Sequence, residues 1–78
     1  MIADIITISP EIQSGTPVFS NTRVPIKNLF DYLKGGDTIE EFLNDFPSVQ
    51  KQQVLTLLDL MENITTFQFT APYEKNIA

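Results

Sequence analysis

The sequence predicts an α+β domain, mostly helical, with three helices in a helix-turn-helix-like arrangement behind short N-terminal β-strands. Two observations carry that expectation. An apolar spacing of i, i+3, i+4, i+7 recurs three times from Ile26 onward, and two short extended segments precede it. The three sets are Ile26, Leu29, Phe30 and Leu33, then Ile39, Phe42, Leu43 and Phe46, then Val54, Leu57, Leu58 and Met61. Each is one stripe of an amphipathic helix, and its expected role is core packing. A chain of 78 residues is expected to hold a single domain, here residues 1–64, followed by a C-terminal extended arm at 65–78.

The first strand is Ile5-Ile6-Thr7-Ile8, β-branched throughout and followed by Ser9-Pro10. It pairs either with Val18-Phe19 across the loop from Pro10 to Pro17, or with a second copy or another protein along its open edge. The segment from Gly15 to Ile26 reads as a structured elbow built on Gly15, Pro17, Thr22, Arg23 and Pro25. Gly15 and Pro17 make a turn, and Ser20-Asn21-Thr22 is turn chemistry in which Asn tolerates positive φ. Pro25 holds Val24 extended and pre-sets φ for the first helix. Arg23, the only arginine, is expected to clamp the elbow to the carboxylates of the second helix. The rival role for Arg23 is a contact to a partner's acidic site or to nucleic acid.

Gly35-Gly36 ends the first helix by supplying the left-handed residue past the C-cap. Asp37 with Glu40, or Thr38 with Glu41, forms a capping box for the second. Pro47 closes that helix, and Ser48 is the expected N-cap of the third, after a turn of about three residues. The third helix carries more apolar residues than one stripe requires: Val49, Leu55, Leu60 and Ile64 fall partly outside it. Either it is the central helix of the bundle or its second face is an interface. Thr65 to Thr70 then alternates with period two, as a strand or extended arm, before Ala71-Pro72 and the loose end from Tyr73. Phe67 and Phe69 either fold back onto the domain or reach a partner. The expected partner contacts are Leu55, Leu60, Ile64, Phe67 and Phe69.

Composition removes several function classes. The chain has no Cys and no His, so disulfides, thiolate zinc sites and His-based catalysis are excluded. This fits a cytoplasmic location. Ten acids face five bases, for a net charge of −5, which argues against a broad nucleic-acid footprint. The start of the chain lacks the basic region and long apolar run of a signal peptide, and no run is long enough to span a membrane. Asp37, Glu40, Glu41 and Asp45 are the densest acidic cluster, but Glu40 and Glu41 stand where a helix start favours acids. No nucleophile has a base and no phosphate loop is present, so the chain is expected not to be an enzyme and to need no cofactor. A DNA contact, if any, is expected at the start of the third helix, from Ser48, Gln50, Lys51 and Gln52, with Gln53 beside them.

Between Pro10 and Ile64 the chain resembles the domain of unknown function 433 family, small prokaryotic VapB-like antitoxin proteins. The residues that carry the resemblance are Pro10-Glu11-Ile12, Gly15-Thr16-Pro17-Val18, Thr22-Arg23-Val24-Pro25-Ile26, Gly36, Glu40-Glu41-Phe42-Leu43, Phe46-Pro47 and Gln53-Val54. Asn21 and Ser14 stand where the family pattern has Gly, and the final helix begins with fewer acids. The resemblance implies a compact helix-turn-helix-like domain whose N-terminal strands support a homodimer. It also implies a partner, a PIN-like nuclease toxin that the protein inhibits, with operator DNA bound mainly by the complex. A DNA-binding regulator and a purely structural homodimer are the other two readings.

Overall fold

The computed structural model describes the backbone of residues 5–77 and the side chains of residues 5–66. It has two short strands, β1 (Ile6–Thr7) and β2 (Val18–Phe19), then three helices, α1 (Ile26–Lys34), α2 (Ile39–Asp45) and α3 (Lys51–Ile77). The α+β, mostly helical class is as predicted.

β1 and β2 pair antiparallel within the chain, Ile6 opposite Phe19 and Thr7 opposite Val18. The loop between them folds around a single 3-10 turn at Gln13–Gly15, where Gln13, Ser14 and Gly15 hold φ of 50°, 55° and 87°. Ser14 thus takes the left-handed conformation that glycine adopts without strain. The other side of β2 is covered by the elbow itself. Phe19 N–H donates to Val24 O at 2.9 Å, Ile26 N–H to Pro17 O at 2.9 Å, and Val18 bridges to Pro25. The turn between them is pinned by Thr22, whose hydroxyl donates to Phe19 O at 2.8 Å and accepts from Val24 N–H at 3.0 Å. Asn21 sits at φ 65°, the positive φ its side chain tolerates.

α1 ends in a Schellman motif: Gly36 N–H donates to Leu33 O and Asp37 N–H to Tyr32 O, with Gly36 at φ 92°. α2 opens with the capping box of Thr38 and Glu41, which settles the choice left by the sequence. The core joins all layers through Ile5, Phe19, Leu29, Phe42, Val49, Val54 and Leu57, each at most 4 % exposed. Phe42 is its centre, with ring centroids 5.9 Å from Phe19, 5.4 Å from Tyr32 and 5.0 Å from Phe46.

Three expectations about α3 need correction. Ser48 is not its N-cap, because the helix starts at Lys51 and the turn from α2 runs over residues 46–50. The start is held instead by Gln53, whose Oε1 accepts from Gln50 N–H at 2.9 Å, a backbone group that would otherwise be orphaned. Val49 belongs to the core, since it sits in the turn, where helical periodicity does not apply. The period-two segment Thr65–Thr70 is helical, not extended, for α3 continues to Ile77. Extending an existing helix adds one backbone bond per residue, whereas an arm would need a strand to pair with.

Candidate functional site

α3 is 27 residues long, hence about 40 Å, and it outruns the domain. Val54 and Leu57 are 0 % and 4 % exposed against the core. Met61 and Ile64 lie one heptad further along the same stripe, with only a small angular drift, yet they are 45 % and 56 % exposed. The expectation that Met61 packs in the core is therefore corrected: the stripe continues after the domain has run out of residues to cover it. Leu55, 39 % exposed, is about half a turn away from Ile64. Leu60 is partly buried and packs against the core. The side chains of Phe67 and Phe69 lie outside the described residues.

Met61 also lines an apolar groove of about 520 Å³ with Ile6, Pro17, Ile26 and Phe30. Thr16, Lys27, Asp31 and Lys34 complete it, Lys27 and Asp31 forming an i,i+4 pair at 2.7 Å. Groove and stripe share Met61 and make one continuous apolar surface. Among the described residues this is where the fold leaves large side chains without cover, Ile8 (66 % exposed) and Leu55 apart.

A second groove, of about 770 Å³, lies at the elbow and brings Thr22, Arg23, Pro25 and Ser48 together with Gln13 and Asn28. Arg23 is exposed and does not clamp α2. The ion pairs among the described residues are Lys27–Asp31 and Lys51–Glu40, and the α2 acids are engaged otherwise. What holds Arg23 in place is its backbone, whose carbonyl accepts from Gln13 Nε2 at 3.2 Å. Accordingly Thr22→Val should cost about 1–2 kcal/mol, because it strands the Val24 N–H and leaves Phe19 O with the Thr22 N–H alone. Arg23→Ala should leave the thermal midpoint unchanged, and paired melting curves check both.

Three of the four acids in the cluster have structural roles. Glu41 caps α2, Glu40 pairs with Lys51 at 3.0 Å, and Asp45 accepts from the Tyr32 hydroxyl at 2.5 Å. That hydrogen bond, helped by desolvation and the negative charges of Asp45 and Asp37, raises the Tyr32 pKa above its usual 10.0. The folded state holds this proton more tightly than the unfolded one. Its contribution to stability is whole below pH 10 and is lost as pH rises through the folded pKa. Asp45→Asn should return the Tyr32 phenolate titration towards its ordinary range, read by ultraviolet absorbance with Tyr32→Phe as the control.

At the start of α3, Gln50, Lys51 and Gln52 are exposed, as is Ser48 in the preceding turn. Gln53 is not available there, for its amide also donates to Ser20 O at 3.1 Å and ties α3 to the elbow. The sequence reading missed this tie, although a Gln three residues after a polar helix start is a capping-box signal. Lys51 shares its charge with Glu40, so this end presents no unpaired cation.

A family model described as "Protein of unknown function (DUF433)" matches residues 6–60. The chain belongs to the DUF433 family. The DUF433 stretch runs from β1 to Leu60, so Met61 and Ile64 lie just beyond it. An uncharacterized protein, y4eO of Sinorhizobium fredii, is 35 % identical over 51 residues, which is 65 % of this chain and 23 % of that protein. The matched stretch thus spans about a quarter of the relative's length. No solved structure matches the chain significantly. Among the described residues, no helix is long and apolar enough to cross a membrane, and no three metal-ligating side chains gather.

Proposed function

We propose that this DUF433 chain is an antitoxin-like, non-enzymatic binding protein of the cytoplasm, which docks a PIN-like nuclease and inhibits it. The observation that carries the reading is the apolar stripe of α3, buried at Val54 and Leu57 and uncovered at Met61 and Ile64, where it opens onto the groove of Ile6, Pro17, Ile26 and Phe30. A small domain gains nothing by exposing such a surface unless something covers it. The net charge of −5 suits a basic, RNA-handling partner and steers its approach. The nuclease class comes from the family resemblance.

Operator binding, on this reading, is a property of the complex, because Lys51 is paired with Glu40 and its neighbours at the start of α3 are neutral. A homodimer is favoured by one further observation. Phe19 N–H is turned towards Val24, so the Ile6 backbone opposite it faces away from β2, and Ile8 beside it is 66 % exposed. Two copies can pair along that edge, which sedimentation of the purified chain tests.

The test of the function is purification from the native host, followed by an RNA-cleavage assay on the recovered partner. The proposal requires a partner that cleaves RNA and is silenced by one equivalent of this chain. A partner without nuclease activity, or one unaffected by added chain, refutes it.

A further inference from the structure

Arg23 is the one cation among the described residues that line the elbow groove, and no carboxylate is among them. That is unexpected in a chain with ten acids and five bases. Both ion pairs among the described residues are made by lysines elsewhere, so the guanidinium keeps its planar fork of donors. The backbone beneath it is shaped at some cost. Gln13 and Asn21, both lining the groove, hold φ of 50° and 65°, and the left-handed region disfavours Gln13 more than Asn21. Asn21, Asn28 and Ser48 add neutral groups that both donate and accept, and among the described residues their side chains form no hydrogen bonds. Ile12, Val24 and Phe46 give the groove apolar walls.

We propose that this groove binds a ligand that ends in a carboxylate next to an amide, as a polypeptide C-terminus or an N-acylated amino acid does. The planar fork of Arg23 matches a carboxylate bidentately. The side-chain amides match the neighbouring peptide group, and the apolar walls take a side chain. About 770 Å³ lies within the range of small-ligand pockets, roughly 300–1,000 Å³. One cation against a net charge of −5 does not suit a polyanion, so nucleic acid is not the ligand argued for. This site is separate from the α3 surface and does not depend on the nuclease reading.

The experiment is an amide-resolved NMR titration of the full chain with acetyl-Ala-Phe bearing a free carboxylate, and with the same dipeptide amidated. The expected result is a saturable shift of the Asn21, Arg23 and Asn28 signals by the acid. Binding of the amide should be weaker by about ten-fold or more, the loss of one charge-assisted pair. Arg23→Gln, at an exposed position that leaves the fold intact, should erase the preference for the acid. Equal binding of acid and amide, retention of the preference in Arg23→Gln, or no saturable shift overturns the proposal. So does tighter binding of inorganic phosphate or of a short single-stranded oligonucleotide than of the acid. An acetylated octapeptide with the same last two residues separates the sources. Tighter binding than the dipeptide supports a polypeptide C-terminus, and equal binding supports a free acylated amino acid.

Discussion

Met61→Asp combined with Ile64→Asp should abolish capture of the nuclease partner while leaving the domain folded. Each side chain is already about half buried, so covering the rest contributes about 0.7–1.5 kcal/mol, and losing both weakens binding by roughly 10- to 100-fold. An aspartate pressed into the same interface adds a desolvation cost on top. The fold tolerates the pair because both positions are about half exposed and lie outside the buried core cluster. Pull-down and a melting curve on the same variant separate the two effects. Leu55→Asp, about half a turn around the helix, is the matched control and should leave capture intact.

Phe42→Ala should unfold the domain. Its ring is fully buried and lies within 6 Å of the rings of Phe19, Tyr32 and Phe46, so its removal opens a cavity between β2, α1 and the end of α2. Truncations of this kind cost about 3–5 kcal/mol. A chain of 78 residues has about 4–12 kcal/mol of total stability, and the described core holds seven side chains with no disulfide to support them. Circular dichroism during heating should lose its cooperative transition or show it far lower. The conservative Phe42→Leu keeps most of the volume and should retain a transition.

Local signals were enough for most of the fold. Gly36 and the turn around Asn21 are set by backbone chemistry within a few residues and are readable from residue type, which also narrows the α2 cap to two alternatives, of which the fold takes Thr38–Glu41. What failed depended on distance or on count. The Arg23 clamp was argued from charge, but no local rule says that Glu40 pairs with Lys51 and Asp45 with Tyr32 instead. Ser48 looked like a helix cap because its type is right. Gln53 moved the start to Lys51 by bonding both Gln50 and a carbonyl 33 residues away. The α3 surface was half visible. Excess apolar residues were evident, yet periodicity put Met61 in the core and Ile64 partly outside it. Only the length of α3 relative to the body shows that both emerge on one stripe.

The most direct measurement places a photo-crosslinking phenylalanine analogue at position 64 of the full chain, expressed in its native host and illuminated. The account predicts a covalent adduct with a different polypeptide that cleaves RNA when freed of this chain, and predicts that Met61→Asp suppresses the adduct. A crosslink confined to this chain or to a second copy of it, or an adduct indifferent to Met61→Asp, would contradict the assignment of the α3 stripe as the nuclease-docking surface.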